Sequence, residues 1–218
     1  TVTNALNTPS LTAEEAKKLN PYLALAEQLG SFTGQITEHG LEKITIEYIG
    51  GIGKLNTKPL TAICLKGLLT PLTDSVNAVN SRNIAEERGI EVVETTREQS
   101  GSYQNLIRVS VKTEKRERAI AGTLFAGLPR VVEVSGVKLE ANLGSNVIYV
   151  NNEDKPGLIG NLGKVLGEAN LNIANFHLGR GEKAGDAIAL VEVDEPVSKD
   201  LIMKISSLPT VKQVKFLQ

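Results

Sequence analysis

Residues 150–173, "VNNEDKPGLIGNLGKVLGEANLNI", hold the side chains in this chain best spaced for chemistry. Asn152 and Asp154 end a strand-like run, Pro156 and Gly157 make a corner, and an apolar periodic stretch opens at Leu158. A helix start exposes unpaired N–H groups that favour a carboxylate or phosphate. An amino-acid zwitterion would lay its carboxylate on the amides of residues 157–159 while Asp154 pairs with its ammonium. Asn152 and Asn172, which carry both donors and acceptors, would orient the polar remainder. The competing reading is that Asp154 merely caps the helix. Gly157 favours the ligand, because a missing side chain lets another group approach the backbone.

Other candidates carry less. "GGIGK" at 50–54 follows a strand, but a Walker loop needs glycine where Tyr48 stands and Ser or Thr where Leu55 stands, and Asn56 occupies the last glycine slot of a dinucleotide fingerprint. A turn whose glycines relieve backbone strain is the simpler reading. Cys64 falls on an apolar helix face with no histidine nearby in sequence and reads as a buried thiol. His177 reads as a sheet residue, and the charges of "KTEKRER" as a solvated turn.

Composition narrows the classes. A net charge of −1 over 218 residues provides no field to gather nucleic acid or anionic lipid. No apolar run approaches the ~20 residues that span a bilayer, and the first ten residues lack the pattern of a secretory signal, so a cytoplasmic location is the expectation. One cysteine and two histidines make neither an internal disulfide nor a zinc cluster. No cofactor or metal is expected on this chain.

The elements that position these residues fall into three stretches. Thr12 and Glu15 form a capping box for a first helix that Pro21 interrupts and Gly30 ends, so residues 1–30 read as a linker helix region. Residues 31–144 read as a mixed α/β domain: a strand at 43–48, a helix at 59–72, a short strand "VNAVN", a short helix "RNIAEERG", and strands near 90–96, 103–111, 117–125 and 130–140. After "ANLGS" the pattern of 145–218 becomes βαββαβ, the ferredoxin-like arrangement. Leu158, Ile159, Leu162, Val165, Leu166 and Ala169 make one apolar helix face that should cover its sheet. The fold class is therefore α+β.

Residues 146–218, through "NNEDKPGLIGNLGKVLGEANLNIANFHLGR", resemble the ACT domain, a βαββαβ module that binds amino acids and regulates metabolic enzymes. "PSLTAEEAKKLNPYLALAEQLGSFTGQI", "LNTKPLTAICLKGLL" and "VNSRNIAEERGIEV" resemble the C-terminal part of long-form D-3-phosphoglycerate dehydrogenases, in which an allosteric substrate-binding domain precedes the ACT domain. The resemblance covers essentially the whole chain. It implies a regulatory fragment whose parent oxidises 3-phosphoglycerate with NAD at the start of serine biosynthesis, the NAD site and catalytic residues lying in an absent upstream part. It places an L-serine site on Asn152, Asp154 and Asn172, with Pro156, Gly157 and Leu158 at the helix start. Asn172 is implied to reach in from the neighbouring subunit of a homodimer. Asn152 departs from the aromatic or histidine side chain of some relatives. A second, anion-binding site is implied at Arg130 and Lys138, although position 142, basic in some relatives, is Asn142.

Two rival readings stand beside this one. The β-type chain of iron-sulfur L-serine dehydratase joins similar domains, but an iron-sulfur cluster needs several thiolates and only Cys64 is present. A free-standing amino-acid-binding regulator is the other.

Overall fold

The computed structural model describes residues 13–98, 101–181 and 185–218. Thr12 of the expected capping box lies outside them. The described chain forms two compact units that divide between Arg130 and Val131.

In the first unit, α1 (Ala13–Ile36) runs through both Pro21 and Gly30 rather than ending at the glycine. Its buried positions Leu25, Leu29, Phe32 and Ile36 recur every three to four residues, so one continuous stripe holds the helix against the core. Gly30 is needed for a different reason than termination. A Cβ there would lie 2.1 Å from the Cys64 carbonyl oxygen of α2 (Lys58–Leu69), and one on Gly34 would lie 2.3 Å from that of Leu68. Gly67 on α2 faces Glu27 and Ser31 equally closely. Glycine on both helices thus lets their backbones meet, a tertiary demand that resembles a stop signal in sequence.

Beneath the helices lies a sheet containing β1 (Leu41–Gly50), β2 (Glu91–Arg97), β3 (Asn105–Thr113) and β4 (Glu117–Phe125), in the order β2-β1-β3-β4. β1 and β2 are parallel, joined across α2 and α3 (Ser81–Glu87); the other pairs are antiparallel. The expected strand at "VNAVN" is absent. Asn77 Oδ1 accepts from the backbone N–H groups of Val79 and Asn80, while Asn80 Oδ1 accepts from that of Asn77. Side-chain amides have replaced the strand's ladder partners with local turns.

The expected strand at 130–140 is a hairpin, β5 (Leu128–Val134) and β6 (Val137–Ala141). Ser135 (φ 50°) and Gly136 (φ 82°) turn it, the left-handed pair that suits a two-residue hairpin loop. The division of the units falls within β5, ahead of the expected boundary at 144/145, because β6 packs against the second unit's β8: a Cβ on Gly179 would meet the Lys138 carbonyl at 2.6 Å.

That second unit contains β7 (Val147–Glu153), α4 (Leu158–Glu168), β8 (Ile173–Arg180), β9 (Asp186–Val193), α5 (Lys199–Ser206) and β10 (Val211–Leu217). The strand order β10-β7-β9-β8, all antiparallel neighbours, is the ferredoxin-like sheet expected from the pattern. Leu158, Leu162 and Leu166 of α4 and Leu201 and Ile205 of α5 close over Ile148, Val150, Ala189 and Val191. Two residues of the expected apolar face fall outside this core: Ala169 is exposed past the helix end, and Ile159 is 57% exposed.

Candidate functional site

Register decides what meets at the corner. β7 and β8 both pair antiparallel with β9, so they run parallel to each other and end at the same edge of the sheet. Asn152 and Arg180 are each directly opposite Ala187, which sets all three in one row on one face. The small Ala187 side chain leaves space between the flanking long ones. A cavity of about 330 Å³ opens there, lined by Asn152, Asp154, Pro156, Gly157 and Leu158 together with Leu178 and Arg180. The structure therefore assembles five of the six residues expected around a ligand.

Asn172 is not among them. It precedes β8 while Arg180 ends it, roughly 25 Å away along an extended strand. Its side-chain amide donates to Asp194 Oδ2 at 2.8 Å. Nor do Arg130, on β5, and Lys138, on β6, line this cavity.

The helix start is open. Gly157 is the N-cap of α4, with φ 107° and ψ −18°, and no side chain caps the helix. Glycine is required here by that left-handed backbone rather than by crowding, since a Cβ would come no nearer than 3.7 Å to Asn161 Nδ2. The first intrahelical bond is Asn161 N–H to the Gly157 carbonyl, so the preceding amides have no helical acceptor. α5 of the same unit differs: Ser198 Oγ accepts from Leu201 N–H at 3.2 Å, and Asp200 sits in the first turn. α4 has no acidic residue in its first turn.

Asp154 does not serve as the missing cap. Its oxygens accept from Arg180 Nε at 2.9 Å and Nη2 at 2.8 Å, a two-bond fork. The Arg180 hydrogen bonds hold the Asp154 carboxyl below its usual value and raise the guanidinium above its own. Sequence reading missed Arg180. The available signal was topological: once the pattern is βαββαβ, the ends of its first two strands share one sheet edge.

Asn152 is only 1% exposed. Its Nδ2 donates to the Glu153 carbonyl at 2.6 Å, while its Oδ1 is buried with no hydrogen-bond partner. A buried amide oxygen in that condition is destabilising unless something donates to it. Cavity, free helix amides and unpaired oxygen together fit a small, polar, hydrogen-bond-donating anion or zwitterion.

The remaining candidates read as structural. Asn105 Oδ1 takes the Ile52 N–H of the "GGIGK" turn at 2.8 Å, so that amide is already committed. Burial pushes the Cys64 thiol up to about 12, away from nucleophilic use. His177 is a partly buried residue of β8. Among the described residues no helix is long and apolar enough to cross a membrane.

Comparison with known proteins agrees with this architecture. Residues 18–135 match the model for the D-3-phosphoglycerate dehydrogenase intervening domain, and residues 146–210 match that of the ACT domain. D-3-phosphoglycerate dehydrogenase of Bacillus subtilis (strain 168) is 32% identical over 99% of this chain and 42% of its own length. The Methanocaldococcus jannaschii enzyme of the same name is 32% identical over 97% of the chain and 40% of its length. D-3-phosphoglycerate dehydrogenase 3, chloroplastic, of Arabidopsis thaliana is 29% identical over 98% and 40%. The chain thus spans about 40% of the length of the curated relatives it matches. It belongs to the D-3-phosphoglycerate dehydrogenase intervening-domain family and carries an ACT domain after that intervening domain.

Proposed function

We propose that this chain is the regulatory part of a D-3-phosphoglycerate dehydrogenase and that its corner at α4 binds a small amino acid, L-serine in the first instance. The observation that carries the reading is the Asn152 Oδ1 atom, buried and unpartnered beside a helix start that no side chain caps. In the bound state the ligand carboxylate rests on the first amides of α4, its ammonium faces Asp154, and a hydroxyl or ammonium proton reaches Asn152 Oδ1. Residues 31–144 and 145–218 act as the intervening and ACT domains.

Asn172 contributes to the pocket of a second copy in this reading, since its own chain holds it at the far end of β8. β8 is the edge strand of its sheet, which supports pairing with another chain there. Ligand that bridges two copies favours the paired arrangement only by its differential affinity for it. A few kcal/mol of such coupling suffices to bias attached domains between open and closed forms. Oxidation of 3-phosphoglycerate with NAD belongs, in this proposal, to a catalytic part beyond these residues in a cytoplasmic enzyme. Arg130 and Lys138 remain a proposed anion site of the intervening domain.

Titration calorimetry of L-serine and other small amino acids against the 218-residue chain tests the site. Saturable binding of L-serine is expected, and Asp154→Ala should abolish it while leaving the chain dimeric by light scattering. Absence of heat with every amino acid on dimeric protein would overturn the reading; unchanged binding by the mutant would remove the role of the carboxylate.

A further inference from the structure

The carboxylate assigned above to a ligand ammonium is already occupied. Both Asp154 oxygens accept from Arg180, at 2.9 and 2.8 Å, in the parallel arrangement that suits a guanidinium and a carboxylate. The Asp154 side chain is 12% exposed and that of Arg180 65%, so the guanidinium lies on the carboxylate from the solvent side. Both residues line the cavity. The register row Asn152–Ala187–Arg180 explains how this comes about: with only a methyl group at the middle strand, the arginine side chain can cross to the carboxylate beyond β7.

We infer that Arg180 is an internal competitor for the ammonium subsite, and that it sets which small acids the corner accepts. α-Amino acids bind by lifting the guanidinium from Asp154, whereas 2-hydroxy acids bind with the fork in place. This rests on the amino-acid reading of the corner and adds a selectivity to it.

The chemistry follows from the donors and acceptors present. An ammonium needs an acceptor carrying negative charge, and Asp154 supplies it only when Arg180 has left. The hydroxyl of a 2-hydroxy acid is neutral and needs only a neutral acceptor, which Asn152 Oδ1 provides. A bare Asp154 would repel the carboxylate of such a ligand. With Arg180 in place that charge is neutralised, and the guanidinium keeps N–H groups that Asp154 does not engage, at the lining of the cavity. Among the described residues the guanidinium has no other side-chain partner to hold it. Solvent-exposed ion pairs couple weakly, so displacement lowers affinity modestly rather than closing the site.

The test compares wild type with Arg180→Gln, using the whole chain and an isosteric ligand pair: L-serine, and L-glycerate, in which a hydroxyl replaces the ammonium. Arg180→Gln should bind L-serine about two- to five-fold more tightly and L-glycerate more weakly by a similar factor. Weaker serine binding by the variant would make Arg180 a ligand-holding residue, and unchanged affinities would make the fork a bystander; either overturns the inference. If wild type binds serine and the variant gains nothing, the competitor alone fails. If neither protein binds either ligand, the amino-acid reading fails and the competitor with it. A second readout is the Arg180 Nε–H resonance, which saturating L-serine should return to rapid solvent exchange and L-glycerate should not. A fork that persists under saturating serine also overturns the inference.

Discussion

Two asparagines, one in each unit, separate a fully satisfied amide from one left half-satisfied at the candidate site. Asn105 in the first unit uses both ends of its side chain: Oδ1 accepts from Ile52 N–H at 2.8 Å, and Nδ2 donates to the Tyr22 hydroxyl at 2.8 Å. Asn152 in the second uses one end and leaves the other buried and unpaired. The cavity beside the first, at the "GGIGK" turn, is the larger of the two, about 540 Å³ against 330 Å³. Volume alone therefore does not single out the candidate site proposed above. Around the larger cavity Arg97 pairs with Glu47 at 3.1 Å, and the glycines serve the chain: Gly50, at φ 92°, has the Gln104 carbonyl where a Cβ would go. Around the smaller one Asp154 and Arg180 pair with each other, while Asn152 Oδ1 is left without a partner and no side chain caps the helix start.

The same contrast holds for buried hydroxyls and glycines. Tyr48 and Thr61 share a 2.7 Å hydrogen bond, and burial pushes the phenol above its usual range. Thr33 and Ser81 each donate to a helix carbonyl. Gly30, Gly34 and Gly67 let two helices touch, while Gly157 opens one helix start.

The contrast breaks most visibly at Gly34. Gly34→Val forces a side chain against the Leu68 carbonyl and should cost about 3 kcal/mol or more, lowering Tm by roughly 6–12 °C in a thermal melt. A change of less than a degree would show that the helix contact is looser than the geometry implies.

The asparagine pair gives a sharper and smaller effect. Asn105→Leu strands the Ile52 N–H and the Tyr22 hydroxyl and should cost about 1–3 kcal/mol in urea unfolding. Asn152→Leu removes an unpaired oxygen along with one hydrogen bond, so its stability should stay within about 1 kcal/mol of wild type while L-serine binding disappears. Equal destabilisation by the two would erase the distinction between them.

The smallest effect is on pH. The folded value of Asp154 is depressed below its usual 3.8, chiefly by the Arg180 hydrogen bonds. In the folded, ligand-free protein Asp154 therefore stays mostly ionised at pH 4, and only the ionised carboxylate pairs with a ligand ammonium. L-Serine affinity should thus be flat from pH 7 to about pH 4 and decline below it, as followed by calorimetry. A decline centred near pH 6 would point to a group other than Asp154.

Much of the fold was legible because it is written in local periodicity. The βαββαβ order, the apolar rows of α4 and the open Pro-Gly corner each depend on residues close in sequence. The misreadings came where a distant contact changed a local meaning. Gly30 looks like a helix stop until α2 is laid against it, and "VNAVN" looks like a strand until its asparagines satisfy their own backbone.

By itself the sequence determined that a polar corner sits between a strand and an amphipathic helix, because capping and periodicity are properties of neighbouring residues. Only the tertiary structure decided what that corner contains. Asp154 and Arg180 stand 26 residues apart and meet because two antiparallel pairings through β9 bring the ends of β7 and β8 to one edge. The same pairing carries Asn172 away from the site, since opposite ends of one strand cannot share a pocket within a single chain.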